Sequence, residues 1–462
     1  MIVVLWLVVL IVALTLYLRQ VYSKFSNYGV KHFKPIPFLG NMSTNCTRVS
    51  LKRGQEWKDM RSTLSPAFTS SKMKSMVPFM MEVSEQMINF LKKEIKESGG
   101  NYADVECKDL MTRYANDVIA SCAFGLKMDS HNDRDNQFYV IGTETANFDF
   151  RKVLVTFGYA CFPTLMKKFN LKLFSDVISN FFRDIIIGTM RNRQKNNILR
   201  PDMIHLLMEA KKGKLTHEEK AAEANTGFAT VEESDIGKVT IKREWSDDDL
   251  TAQAVLFFLA GYETISSAMA FLIYELAVHP EVQEKLANEI KEHDAKNGGK
   301  FDFNSIQNMP YLDMVLSEVL RLWPPAIGLG RECTKDYNLG KPNDKADKDY
   351  ILRKGDALVI PAWSFHHDPE YFPDPYKFDP ERFSEENKHK IKPFSYMPFG
   401  LGPRNCIGSR FALCEVKVMT YQLIQQMELS PCEKTCIPVV LSKDTFNLKA
   451  EGGNYIRFKL RQ

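Results

Sequence analysis

The sequence lacks the means for a disulfide scaffold or a zinc centre. Its nine cysteines (Cys46, Cys107, Cys122, Cys161, Cys333, Cys406, Cys414, Cys432 and Cys436) are odd in number and thinly spread over 462 residues, unlike the paired framework of a small secreted protein. No CxxC pair or histidine cluster supplies the three or four converging side chains that zinc requires. This predicts a reduced, cytosol-facing body. An excess of one charge is missing too: 61 Lys and Arg face 57 Asp and Glu, a net +4. That gives no nucleic-acid signal and at most a local basic patch. No internal repeat is visible, and the length with 44% hydrophobic residues allows one large domain or up to about three ordinary ones.

Charge is also absent from the first 18 residues, MIVVLWLVVLIVALTLYL. At 1.5 Å per residue they reach roughly 27 Å, close to the thickness of a bilayer core. A cleavable leader would want a charged start and a small-residue cleavage site, whereas Arg19, Lys24, Lys31 and Lys34 follow the apolar run. The expectation is an uncleaved anchor at 1–18 with the body in the cytosol, so the sequons at Asn41 and Asn45 carry no weight. KPIPFLGN, Lys34 to Asn41, cannot continue a helix and reads as a stiff hinge within a linker at 19–45. Residues 46–462 form the body.

In that body helical periodicity dominates to about residue 325, and shorter strand-like and loop pieces follow. Gly213 to Trp245 is polar and charge-rich and predicts an exposed connection. The strongest helix begins with Ser246 and Asp249 in capping-box spacing and stops at Pro280. It is apolar on nearly every face, hence either membrane-spanning or the central helix of a large protein. Glu263 and Thr264 in its middle favour the buried helix, because a carboxylate near a bilayer centre is costly.

What is present, and needs an explanation, is one cysteine in an unusual setting: FGLGPRNCIGSRFALCEVKVM, Phe399 to Met419. A lone cysteine is usually a small buried hydrophobe. Here Gly400 and Gly402 permit a tight turn and close approach of a flat ligand, and Gly408 removes a side chain just after the sulfur. A helix follows, whose N-terminus favours thiolate. Those features describe a metal-ligating thiolate that is the single protein ligand, as haem iron requires.

FGLGPRNCIG resembles the haem-binding signature of the cytochrome P-450 monooxygenases, with Phe399, Gly400, Gly402, Arg404, Cys406 and Gly408 in place. Four further motifs match in the family's order: WKDMR (Trp57 to Arg61), AGYET (Ala260 to Thr264), EVLR (Glu318 to Arg321) and PERF (Pro380 to Phe383). GFATVEESDIGK with AGYETISSAM resembles the insect microsomal branch, family nine, whose members mostly handle plant toxins and insecticides. The resemblance implies a mainly α fold with small β-sheets (α+β), the cytochrome P-450 fold, preceded by one transmembrane helix. It implies haem b with Cys406 as axial thiolate and Trp57, Arg61, Arg331, Phe399, Arg404 and Gly408 around the cofactor. Glu318, Arg321 and Arg382 would form a structural lock under the thiolate. Glu263 and Thr264 would serve proton delivery, with the small Ala260 and Gly261 leaving room for oxygen. The alternative for Thr264 is a hydroxyl bonded back to its own helix carbonyl. Phe257, Phe258, Ala260, Ala326, Ile327, Leu329, Phe446 and Leu448 fall where the family lines its substrate pocket, and their apolar character says lipophilic and nothing finer. The implied setting is the endoplasmic-reticulum membrane with the catalytic domain in the cytosol. The implied partners are an NADPH-dependent cytochrome reductase, cytochrome b5 and a lipophilic small molecule, with no nucleic acid.

One departure stands against these matches. Members of the family carry several dozen residues between the proline-rich hinge and the WxxxR helix, including the first strands of the main sheet and a substrate-contacting loop. Here Pro37 and Trp57 are only 20 positions apart. The expectation is therefore a haem-thiolate monooxygenase or, as the alternative, a truncated haem-binding or misfolded product without turnover.

Overall fold

The computed structural model describes residues 54–147, 149–212, 227–234, 236–237, 245–443 and 448–462, together with Val12 and Leu16. The expected anchor, linker and hinge lie outside the described residues, except that Val12 and Leu16 are helical. The elements run α1 (Gly54–Leu64), α2 (Ser70–Glu97), β1 (Tyr102–Glu106), α3 (Cys107–Ile119), α4 (Gln137–Ala146), α5 (Phe150–Cys161), α6 (Pro163–Lys168), α7 (Asp176–Asn196) and α8 (Met203–Lys211). They continue with α9 (Asp247–Val278), α10 (Pro280–Asn297), α11 (Phe303–Gln307), α12 (Pro310–Leu322), β2 (Leu329–Glu332), β3 (Tyr337–Asn338), β4 (Ile351–Leu352) and β5 (Ala357–Ile360). The chain ends with α13 (Ala362–His366), α14 (Ser409–Gln426), β6 (Met427–Pro431) and β7 (Tyr455–Leu460). The mainly helical class read from the sequence is what the chain adopts, with β1 an unforeseen strand inside the helical half.

Two compact units are present, the larger made of 51–153, 172–327 and 362–462, the smaller of Leu154–Leu171 with Gly328–Pro361. In the larger unit α9 is the axis. The Ser246 hydroxyl accepts from the Asp249 amide while the Asp249 carboxylate accepts from Ser246, the expected capping box. Among the described residues α9 is the one helix long and apolar enough to cross a membrane. Most of it is instead buried by protein, packed on α3, α7 and α12. At its flank Phe124, Phe138, Phe182 and Phe258 meet with centroids 5.3 to 6.3 Å apart, an arrangement of tilted and edge-on rings that adds to their area burial. α14 packs on α2 and α10.

The larger unit carries an antiparallel sheet in the order β1-β7-β6, with Tyr102 opposite Lys459 and Met427 opposite Leu460. In the smaller unit β2 pairs with β5, and β3 with β4, each antiparallel. The region read as an exposed connection differs from expectation. Ala229 and Trp245 are buried, and the Trp245 ring nitrogen donates to Thr63 Oγ1 on α1 at 3.3 Å, a partner that helical periodicity cannot reveal.

Gly125 tests the packing of the larger unit. It ends the π-helical turn Ala120–Phe124 in the left-handed region, φ +70°. A Cβ there would sit 2.2 Å from Arg193 Nη2 and 2.8 Å from Asp202 Oδ2. Arg193 and Asp202 form a two-pronged ion pair, 4% and 0% exposed. Gly125→Ala therefore adds backbone strain and forces apart a buried pair, whose disruption costs about 3–5 kcal/mol. Thermal unfolding of the purified protein should show a clear drop in midpoint, and an unchanged midpoint would mean that Arg193 can move aside freely.

Candidate active site

The Cys406 turn is built by backbone. Gly400 and Gly402 adopt φ +71° and +74°, values that L side chains rarely reach. The Gly400 amide donates to the Met397 carbonyl (3.0 Å), and the Cys406 amide donates to the Phe399 carbonyl (2.8 Å). Asn405 closes the short turn Gly402–Arg404 by donating to the Gly402 carbonyl (2.9 Å). Helix α14 starts at Ser409, directly after Gly408, which stands at its N-cap. Cys406 is exposed, yet enough protein surrounds its sulfur that desolvation pushes the thiol up, opposed by the Gly408 amide and the Arg61 guanidinium. Burial of the sulfur and the polar groups at the helix start therefore act in opposite directions on the thiol. Coordination to a metal would make it a thiolate.

The EVLR pair is buried completely. Arg321 Nε and Nη2 donate to Glu318 Oε2 (2.7 Å) and Oε1 (2.8 Å), with both side chains 0% exposed. Arg382, from the short turn Pro380–Phe383, adds a contact to Glu318 Oε1 at 3.3 Å, and the Asp379 amide donates to the same oxygen at 2.9 Å. Burial pushes the Glu318 carboxyl up while these donors pull against it. The rest of Arg321 donates to the carbonyls of His366, Pro375 and Lys377. His366, which nothing in the sequence singled out, completes the tie. One ring nitrogen, Nδ1, bonds the Arg321 carbonyl (3.1 Å), and Nε2 accepts from the Met397 amide (2.9 Å). The Tyr396 hydroxyl donates to the Ser317 carbonyl at 3.0 Å. Helix α12 is thereby fastened to the strand of chain that leads, within a few residues, into the Cys406 turn.

Around that turn, the Arg404 guanidinium lies over the Trp57 ring at 3.6 Å, a cation–π contact. Arg61 donates to Glu233 and to both oxygens of Asn405. Arg331 stands on β2 in the smaller unit and donates to its neighbour's carbonyl, Gly330. Leu329 shares that strand.

On α9, Ala260 and Thr264 are exposed although most of the helix is not. Being i and i+4, they share one face. The Thr264 hydroxyl donates to the Ala260 carbonyl at 2.5 Å, the back-bonded arrangement held open above. Glu263 pairs with Lys108 Nζ at 3.0 Å, and Lys108 also donates to Ser266 and Ser267. At Gly261 a Cβ would come 3.1 Å from Ile119 Cδ1, so its smallness serves the packing of α9 on α3. Phe258 also sits in the aromatic core, with the Tyr262 ring tilted against it at 5.2 Å. Two residues from Ala260 is roughly 200° around a helix, which turns Phe258 away from the exposed face. Phe257 instead meets Phe68 edge-on at 5.3 Å. Ala326 and Ile327 are exposed after α12, Leu448 lines a small cavity with Lys108, Ser267 and Phe271, and Phe446 lies outside the described residues.

The pattern of the family described as Cytochrome P450 matches residues 6–457. Cytochrome P450 9e2 of Blattella germanica is 45% identical over 460 residues, covering 96% of this chain and 82% of that protein. Probable cytochrome P450 9f2 of Drosophila melanogaster is 42% identical over 410 residues, covering 88% and 75%. Probable cytochrome P450 6a13 of the same fly is 37% identical, covering 95% and 80%.

This chain belongs to the cytochrome P450 family. It is a monooxygenase-type oxidoreductase that resembles the insect family-nine enzymes. The family holds haem through a cysteine thiolate, and the residues here fit that group. Among the described residues no three His, Cys, Asp or Glu side chains converge on a common metal position, so an iron held here must bring its other ligands with it, as haem does. Cys406 offers one soft donor in a glycine-formed turn, and the exposed Ala260–Thr264 stripe on a core helix leaves apolar surface for a flat ligand.

The His366 tie generates a pH dependence. Burial, first, and the neighbouring Arg321 lower its pKa from 6.5 to about 3, against the help of the Arg321 carbonyl. The unfolded chain binds that proton below 6.5 and the folded chain does not until about 3, so this group's stabilisation is lost as pH falls through that window. His366→Asn should lower the melting midpoint at neutral pH and flatten its decline on acidification. A parallel decline in both proteins would dismiss His366 as a source.

Proposed function

We propose that this cytochrome P450 is a microsomal monooxygenase, anchored by residues 1–18 in the endoplasmic-reticulum membrane, that inserts one atom of dioxygen into a lipophilic small molecule of the plant-toxin or insecticide type. Cys406 is its axial ligand, and its electrons come from NADPH through a membrane reductase, with cytochrome b5 as a second donor. The observation that carries this reading is the exposed Cys406 in a turn built on two left-handed glycines, Gly400 and Gly402, with its amide closed on Phe399. Bound there, haem would supply dioxygen activation, its thiolate ligand pushing electron density to iron to favour O–O cleavage.

The chain's own residues then have separate tasks. The Gly408 amide donates to sulfur and stabilises its negative charge. Trp57 holds the Arg404 guanidinium flat against its ring, beside the Cys406 turn. Glu318, Arg321 and Arg382 fix the chain beneath the sulfur. Thr264 Oγ1 holds a proton on the exposed face of α9, where it can leave the Ala260 carbonyl for a ligand. Glu263, braced by Lys108, stands one residue away. Phe257, Ala326, Ile327, Leu329, Phe446 and Leu448 support a lipophilic substrate by their chemistry alone.

Cys406→Ala should abolish the thiolate-type Soret band of the reduced, carbon-monoxide-bound protein, because among the described residues no other cysteine sits in such a turn. Retention of that band in the variant would refute the ligand assignment.

A second reading, a haem-binding product without turnover, is favoured by the short join between Pro37 and Trp57. The β2–β5 pair also has no third strand among the described residues. Expressed beside a form carrying a family-length insert between Cys46 and Leu51, this chain should hold less haem, aggregate more readily and oxidise lipophilic substrates poorly. Equal haem occupancy and equal rates would make the segment dispensable.

A further inference from the structure

Gly227–Ser234 runs between two anchorages. At the first, the Phe228 amide donates to Asp313 Oδ2 on α12 (2.7 Å), and the Phe228 ring meets Phe383 at 5.1 Å and Tyr396 at 5.6 Å. Only glycine fits at 227: its φ is +134°, and a Cβ would lie 1.7 Å from Asp313 Oδ1. At the second, the Asn405 side-chain amide donates to the Glu232 carbonyl (2.7 Å). The Glu233 carboxylate accepts from Arg61 Nη2 (2.6 Å) and Nε (3.1 Å), with the two side chains 14% and 7% exposed. The opposite edge of the same guanidinium donates to the Asn405 backbone carbonyl (2.8 Å) and to Asn405 Oδ1 (2.7 Å). Asn405, the residue before the thiolate, is thus held at three atoms by Arg61 and the 227–234 segment together.

We infer that residues 227–234 form a strap that fixes the Cys406 turn, with Glu233 as the positioning residue that orients Arg61 onto Asn405. The inference rests on the reading of Cys406 as the haem ligand. A guanidinium is planar and recognises a carboxylate along one edge. With Glu233 in place, its second edge can point only where Asn405 lies. Without Glu233, a largely buried charge that has lost its carboxylate must turn toward another acceptor, and Asn405 loses its hold. The Phe228 end supplies the leverage, since Phe383 and Tyr396 belong to the same framework that the Glu318–Arg321 pair ties down. Four of the five N–H groups of the Arg61 guanidinium are thereby directed at Glu233 and Asn405.

The test uses the purified full chain with Glu233→Gln, Glu233→Asp and Phe228→Ala. Backbone hydrogen exchange of the 399–408 peptide should quicken about tenfold in Glu233→Gln, and in Phe228→Ala as well. In Glu233→Asp, where the charge pair survives, it should be largely restored, and exchange in β6 and β7 should stay unchanged in all three. In the reduced, carbon-monoxide-bound spectrum, Glu233→Gln should move part of the Soret intensity from the thiolate-type band to the protonated-thiol type. Unchanged exchange at 399–408 overturns the strap even if the parent protein shows the thiolate-type band. Tighter haem retention in Glu233→Gln overturns it too, by returning Arg61 to carboxylate binding. Quickened exchange in a protein that never shows the thiolate-type band keeps the strap and removes the haem-thiolate reading instead.

Discussion

The buried Glu318–Arg321 pair is the constraint on which the rest depends. Two charges removed from water must be met by hydrogen bonds at every polar atom or they destabilise the fold by several kcal/mol. Here the requirement recruits the Asp379 amide, Arg382 and three backbone carbonyls from Pro375, Lys377 and His366. Chain with little regular secondary structure is thereby tied to α12 by hydrogen bonds. Through His366 and Tyr396 the tie passes to Met397 and so to the start of the cysteine turn. The pair's contribution is geometric: it specifies where Cys406 must stand, whatever its net stabilisation.

A second division of labour runs along α9. One face supplies core, through Phe258 and Tyr262; another, at Gly261, admits close approach of α3; and a third, at Ala260 and Thr264, is left uncovered. Glu263 lies between faces and is compensated by Lys108, whose own pKa burial lowers while Glu263 opposes the shift. One helix can serve core, packing and chemistry because a period of 3.6 residues gives each task its own azimuth.

What could be read in advance was what lies close together in sequence. The capping box of α9, the glycine spacing around Cys406, the i,i+3 Glu318–Arg321 pair and the helix after Gly408 are all local patterns, and each appears where the residues predicted it. What stayed hidden were lateral partners. Glu233 lies 172 residues from the Arg61 it pairs with, Lys108 stands on a different helix from Glu263, and His366 looks like any surface histidine until the fold encloses it. Nor does periodicity tell which of two neighbouring phenylalanines, Phe257 or Phe258, turns into the core, since both are apolar and the helix is apolar all round. The polar composition of 213–245 likewise obscured Ala229 and Trp245, two residues whose burial depends on surfaces made elsewhere in the chain.

The order of the three-stranded sheet has a bearing on how the chain is made. β7 (Tyr455–Leu460) is the middle strand, and β1, more than three hundred positions earlier, and β6 are joined only through it. While the protein emerges from the ribosome, β1 and β6 each present an open edge that nothing yet synthesised can close. Long-lived unpaired edges invite association with other chains. A nascent polypeptide interrupted before residue 455 would therefore carry every residue of the haem-binding signature and still be unable to assemble the sheet, leaving its quality to be judged by the cell's folding machinery before any chemistry begins.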